Sequence, residues 1–222
     1  MKILITAGPT REYIDTVRFI SNASSGRMGL AVAKAALQAG HQVTLLLGPI
    51  ALNQPEGATT HRFTGVDDLK ELLAAHFPLC DVLVMAAAVG DFRPEKRLPT
   101  KIPRKGGPVT IRLFPTEDIL AGITPGKRAD QRVISFSVED GPPAQVEAKA
   151  KEEMLAKGSD FVVVNPPSAM DADSSHAAIL SAEQLVLPWE HRSKLELAEK
   201  IVELFQAQPD RSADTCGRTG TQ

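Results

Sequence analysis

The sequence predicts an α/β protein, a Rossmann-like, open, mostly parallel sheet with helices on both faces and a long flap or hairpin excursion. Short β-branched runs, each closed by Gly, Pro, Ala or Asn, recur along the chain, and helical patterns fall between most of them. That alternation is the signature of parallel strands joined by helical crossovers. A Pro- and Gly-rich stretch, residues 93–113, then interrupts the rhythm. Long ordered loops in compact domains are usually functional.

Taken in order, Ile3-Leu4-Ile5 reads as a buried strand that leaves the sheet at Gly8-Pro9-Thr10. Asn22 to Gly29 opens a helix over residues 28–37, with Asn, Ser and Gly where backbone N–H groups lack partners. Residues 43–47 form the second strand, 67–76 the second helix and 82–85 the third strand. The excursion ends in the strand-like Val109-Thr110-Ile111-Arg112-Leu113. Strands over 133–136 and 161–164 follow, with a helix over 144–156 between them. Residues 177–180 and 185–187 form an edge hairpin, and a last helix spans 192–205. The polar, small composition from Gln206 onward predicts a disordered tail. The chain thus divides into one domain over 1–205 and a tail over 206–222.

Composition narrows the function classes. A net charge of -2 with interspersed signs gives no basic stripe, and 5% aromatic content gives no base-stacking surface, so no nucleic-acid partner is expected. No apolar run reaches the roughly 18 residues of a membrane span, and Lys2 leads into a strand pattern and not a signal peptide. Cysteine occurs only at Cys80, in an apolar setting, and Cys216, in the tail, which suits a reducing, cytoplasmic compartment.

The segment Gly8 to Gly29 sets two small-residue turns on either side of a polar loop. A helix start such as Asn22-Ala23-Ser24-Ser25-Gly26-Arg27-Met28-Gly29 attracts anions, phosphate above all. Gly8-Thr10, Ala87-Asp91, Glu139-Asp140 and Asn165 all fall just past carboxyl ends of expected parallel strands, the edge where open α/β sheets bind ligands. A nicotinamide-dependent, short-chain-type oxidoreductase is the competing reading. It fits less well, because the polar loop separates the Gly-rich turn from the first strand. In addition, Gly48-Pro49 offers no acidic residue to a ribose, and Tyr13 lacks a lysine four positions on. There is no Walker loop, no His-Glu-x-x-His, no Cys-x-x-Cys and no Gly-x-Ser-x-Gly. His41, His61, His76, His176 and His191 have no partner at metal spacing and read as solvent-facing.

Three segments carry a family resemblance. They are the opening loop through Gly29, Met85-Ala86-Ala87-Ala88-Val89-Gly90-Asp91-Phe92-Arg93, and Lys101-Ile102. Weaker echoes are Thr116-Glu117-Asp118-Ile119-Leu120, Phe136-Ser137-Val138-Glu139, and Lys157-Gly158-Ser159-Asp160 leading to Asn165. The chain resembles phosphopantothenoylcysteine synthetase, the ligase domain of the bifunctional coenzyme A biosynthesis flavoprotein family. The resemblance implies a nucleotide-dependent ligase that condenses 4′-phosphopantothenate with cysteine through an acyl-nucleotide. It implies CTP ahead of ATP as co-substrate, Mg²⁺, no flavin in this chain, a homodimer, and a possible separate decarboxylase partner.

On this resemblance Asn22 and Lys101 are catalytic, and Asn22 with Arg18 binds substrate, the Arg18 fork suiting a phosphate. Ser25, Gly26, Met85, Ala86, Ala87, Asp91, Lys101, Glu117, Asp118, Ile119, Leu120, Phe136 and Lys157 bind the nucleotide, and Asp91 is the candidate Mg²⁺ ligand. Structural readings stand beside these. Asn22 is alternatively the helix N-cap, Asp91 a turn cap, Phe136 ordinary core and Lys101 a solvated loop lysine. The sequence departs from the family pattern at Pro103, Thr116, Glu153 and Pro166, which removes positive charge near the expected triphosphate. The choice of nucleotide stays open on that account, and a catalytically degenerate phosphometabolite-binding or interaction protein is the alternative.

Overall fold

The computed structural model describes residues 1–104, 107–170 and 172–206. The chain runs β1 (Lys2–Ala7), β2 (Arg11–Tyr13), β3 (Phe19–Ser21), α1 (Arg27–Gln38), β4 (Gln42–Leu47), β5 (Thr59–Arg62), α2 (Val66–His76) and β6 (Val82–Met85). It continues through β7 (Phe92–Pro94), β8 (Leu113–Pro115), α3 (Ile119–Ile123), β9 (Arg132–Val138), α4 (Pro143–Ala156), β10 (Phe161–Asn165), β11 (Ser174–Ser181), β12 (Leu185–Ser193) and α5 (Lys194–Glu203). One eight-stranded sheet has the order β12-β11-β10-β9-β6-β1-β4-β5. Pairing is parallel from β10 to β5 and antiparallel for β11 and β12. The parallel part, β5-β4-β1-β6-β9-β10, is the doubly wound order, whose switch point lies between β1 and β6.

Strand pleating sends alternate side chains to opposite faces. Ile3, Ile5, Val43, Leu45, Val82, Val84, Ile134 and Val163 pack on one face under α1 and α5. Leu4, Leu46, Leu83 and Val133 pack on the other under α2 and α3, and Val162 and Val164 under α4. With both faces covered, each central strand is rich in apolar residues on both sides, which is why these strands are readable from sequence.

The differences lie at edges and turns. β5, Thr-Thr-His-Arg, was not anticipated, since a polar edge strand has no hydrophobic signature. The β2–β3 hairpin and the short α3 were likewise missed. Within the excursion the strand is Leu113–Pro115, paired with Phe92–Pro94 in register Phe92↔Pro115. Beyond it the Glu95 N–H donates to the Arg112 carbonyl at 3.1 Å and the two side chains pair at 3.7 Å, while Val109 and Ile111 lie exposed outside any strand. The last helix starts at Lys194, because β12 continues to Ser193, whose Oγ caps the helix by accepting from the Glu196 N–H. Gln206 closes a 3-10 turn, and the rest of the expected tail, with Cys216, lies outside the described residues. The histidines expected to face solvent include two tilted ring pairs, His61 with His76 at 4.5 Å and His176 with His191 at 4.9 Å between ring centroids. Among the described residues no helix is long and apolar enough to cross a membrane.

Gly29 lets α1 lie directly on β1. A Cβ there would fall 2.5 Å from the Ala7 Cβ and 2.9 Å from the Thr6 carbonyl oxygen. In an open helix Gly→Ala gains about 1 kcal/mol from propensity, but overpacking costs about 1–3 kcal/mol. Gly29→Ala is therefore expected to lower the urea midpoint, and a variant more stable than the parent would show that α1 can lift off the sheet without cost.

Candidate functional site

Past the sheet edge, the chain after β6 has no strand partner, yet its backbone is satisfied. The Thr6 Oγ1 accepts from the Ala87 N–H at 2.9 Å, and the Thr10 Oγ1 accepts from the Gly90 N–H at 2.9 Å. The Thr10 N–H donates to the Ala88 carbonyl at 3.2 Å, and the Ala88 N–H to the Gly8 carbonyl at 3.0 Å. The Asn22 Nδ2 donates to the Val89 carbonyl at 2.9 Å and the Thr116 Oγ1 to the Gly90 carbonyl at 2.6 Å. Thr6 and Thr10 are buried, and both sit in the opening segment. Residues 87–90 thus present small side chains on a backbone fixed from behind.

This backbone forms one wall of a cleft of about 720 Å³. The wall also includes the start of α1, from Asn22 to Met28, the segment from Pro115 to Leu120, and Ser135 to Val138 on β9. The N-cap of α1 is Gly26, whose φ of +77° is the left-handed conformation that glycine adopts without strain. No side chain caps this helix, so the N-cap reading of Asn22 is corrected. Asn22 stands outside the helix and spends one amide proton on Val89, leaving its second donor for the cleft.

One lysine of the cleft is shared between two carboxylates. The Lys157 Nζ lies 3.4 Å from the Asp118 Oδ2 and 3.6 Å from the Glu153 Oε2, so two carboxylates share one ammonium. The Asp118 Oδ1 also caps α3 by accepting from the Ala121 N–H at 3.0 Å. Lys70 bonds Glu117 and thereby lowers the Glu117 pKa.

Asn22, Gly26, Met85, Ala86, Ala87, Asp91, Glu117, Asp118, Ile119, Leu120, Phe136 and Lys157 all line this one cleft, and Glu153 and Asn165 join them. Ser25 is adjacent, its Oγ donating to the Met170 carbonyl at 3.2 Å. Lys101 and Arg18 are not among the lining residues. Lys101 is exposed in the flap, and the Arg18 Nη1 is bonded to Asp15 at 2.5 Å and to the Ile102 carbonyl at 3.3 Å. Ser135, Met170, Ser175 and the buried Lys194 also face the cleft and were not anticipated. A signal existed for two of them: a serine within the buried strand β9, and a lysine in the first turn of α5, where the helix dipole disfavours it. Among the described residues no three His, Cys, Asp or Glu side chains group as a metal site. Asp91 offers a single exposed carboxylate, which suits a Mg²⁺ that arrives bound to phosphates and keeps its own waters.

Comparison with known proteins gives a consistent result. The family model described as DNA/pantothenate metabolism flavoprotein C-terminal domain matches residues 1–208. The coenzyme A biosynthesis bifunctional protein CoaBC of Mycobacterium tuberculosis strain H37Rv is 39% identical over 214 residues, covering 91% of this chain and 51% of that protein. The chain thus spans about half the length of the curated relatives it matches. The crystal structure of a CoaBC C-terminal domain superposes with a TM-score of 0.73 at 33% identity, covering 91% of this chain and 92% of that one. The DNA/pantothenate metabolism flavoprotein of Streptococcus pneumoniae superposes with a TM-score of 0.82 at 25% identity, covering 93% and 99%.

The cleft wall depends on Thr10. Thr10→Val keeps the shape but removes the acceptor for the partly buried Gly90 N–H, and an orphaned donor of this kind costs about 1–3 kcal/mol. Chemical denaturation should show a loss of that size, whereas a change below about 0.5 kcal/mol would mean that the 87–90 backbone finds its partners elsewhere.

Proposed function

The chain belongs to the family of the DNA/pantothenate metabolism flavoprotein C-terminal domain, and on that premise we propose that it is a phosphopantothenate–cysteine ligase of coenzyme A biosynthesis. The observation that carries this reading is the convergence of Asn22, the 85–91 backbone, the 117–120 segment, Phe136 and Lys157 on one cleft at the switch point of the sheet.

In the first half-reaction a carboxylate oxygen of 4′-phosphopantothenate bonds to the α-phosphorus of CTP, with ATP as the lesser alternative. The bond to pyrophosphate breaks and its electron pair leaves with pyrophosphate. In the second, the cysteine amine bonds to the acyl carbon, the acyl–oxygen bond breaks, and the nucleoside monophosphate departs as the amine loses a proton. Both steps place negative charge on oxygen, so fixed donors are what the protein supplies. The free Asn22 amide proton meets that charge, the start of α1 with Ser25 and Gly26 faces the phosphates, and Phe136 packs on the base. Lys101, carried on the flap, opposes the triphosphate, and Arg18 serves the phosphate of phosphopantothenate. Mg²⁺ held by Asp91 and the phosphates would neutralise charge on the leaving pyrophosphate.

The working form in this reading is a cytoplasmic homodimer that acts with a flavin-dependent decarboxylase, fused or separate. Exposed Phe19, Phe92 and Phe114 on the two hairpins support the dimer.

Pyrophosphate release from protein, Mg²⁺ and phosphopantothenate should be detected with CTP, and more slowly with ATP. Release with neither would leave a degenerate binding protein. Asn22→Asp sets a carboxylate against the Val89 carbonyl and removes the donor. Condensation with cysteine should fall by about 100-fold or more while the melting temperature hardly moves, since the lost bond is exposed. Activity within a few-fold of the parent would remove Asn22 from the chemistry.

A further inference from the structure

Asp15 is a charged residue at 0% exposure with no place in the chemistry above. It sits in the turn of the β2–β3 hairpin, and its two oxygens serve different parts of the chain. Oδ1 accepts from the N–H groups of Val17 at 2.7 Å and Arg18 at 2.8 Å, closing its own turn. Oδ2 accepts from the Arg18 Nη1 at 2.5 Å and from the Ile102 N–H at 3.0 Å, across 87 residues of sequence. The same junction holds two more bonds, the Leu98 N–H to the Ile14 carbonyl at 2.8 Å and the Arg18 Nη1 to the Ile102 carbonyl at 3.3 Å.

We propose that Asp15 is a positioning residue, a latch that ties the flap backbone at Ile102 to the opening loop and so presents Lys101 from a fixed point. The inference rests on the ligase reading only for what Lys101 then does; the latch itself stands on geometry. A buried carboxylate is tolerated only when hydrogen-bonded on most of its lone pairs, and this one is. Burial pushes its pKa up, but the Ile102, Val17 and Arg18 amides and the Arg18 guanidinium outweigh that and hold it well below the usual carboxylate range. The latch is therefore charged at any physiological pH. Because the opening loop leads directly through β3 to Asn22, one hairpin fixes both Asn22 and the lysine-bearing flap.

The division of labour between the oxygens makes the test specific. In Asp15→Asn the amide oxygen takes the Oδ1 position and keeps the turn. The amide nitrogen takes the Oδ2 position, where it can accept neither from the Ile102 N–H nor from the Arg18 Nη1. Brief trypsin treatment reads the flap directly through cleavage after Arg97 and Lys101. The proposal expects this cleavage to speed up by roughly tenfold or more, the value of at least one charge-assisted bond, with cleavage away from Arg18 and the flap, and the melting temperature, little changed. In pyrophosphate release, kcat should fall while the KM for cysteine in the full reaction stays put. Flap cleavage at the parental rate in folded Asp15→Asn overturns the latch. Faster cleavage with unchanged kcat would keep the latch and overturn its service to Lys101. If Asp15→Asn does not fold, Ile102→Pro removes the donor from the flap side and leaves Asp15 untouched. Cleavage after Arg97 must then accelerate, and a parental rate refutes the proposal.

Discussion

Backbone that leaves a parallel sheet at its carboxyl edge loses its ladder partners, and buried N–H and C=O groups must find others. Here the segment after β6 finds them in the segment after β1. Thr6 and Thr10 accept from Ala87 and Gly90, and Asn22 and Thr116 donate to Val89 and Gly90. Since Thr6 and Thr10 are buried behind the segment while Asn22 and Thr116 reach it from the cleft side, its small residues are held in place between them. The result is a rigid, nearly side-chain-free wall at the switch point, against which a flat ligand group can lie close. The bond to Val89 ties Asn22 to that junction, and Gly29 against Ala7 separately sets how closely α1 approaches β1.

Electrostatics adds a second layer. Cations around the cleft are mostly committed: Lys157 to Asp118 and Glu153, Lys70 to Glu117, Arg27 to Asp173, and Arg18 to Asp15. The exposed pairs among these, all but Arg18–Asp15, contribute little to stability, but all of them lower the positive potential a triphosphate would meet. Among the described residues Lys101 forms no ion pair, as is true of Lys96 and Arg104 in the same excursion, so the flap carries positive charge that is not committed to a carboxylate. A flap that must deliver one such group gains from a firm attachment, and the buried Asp15 provides one on the hairpin that also leads to Asn22.

How much of this was legible follows from where each residue sits. The central strands were, because Ile3, Val43, Val82, Val133 and Val163 are buried on sheets covered from both sides. Edge strand β5 and the β2–β3 hairpin were not, since neither has a hydrophobic period to read. Most of the cleft could be named from motif residues at strand ends, Met85 to Asp91 above all. What sequence could not supply was partnership. Nothing in the residues around Asn22 says that its amide reaches Val89, and nothing near Arg18 says that it is bonded to Asp15 and to the flap. Such bonds span dozens of residues and are decided by topology, not local pattern.

The central claim is that one cleft, walled by the 87–90 backbone and the start of α1, receives the nucleotide. Amide hydrogen exchange followed by mass spectrometry, with and without CTP and Mg²⁺, tests it without requiring turnover. The account predicts added protection in peptides covering residues 22–29, 85–91, 117–120 and 135–138, and little change in β11 and β12. Binding of CTP with protection confined to other segments, or with none in 85–91, would contradict it.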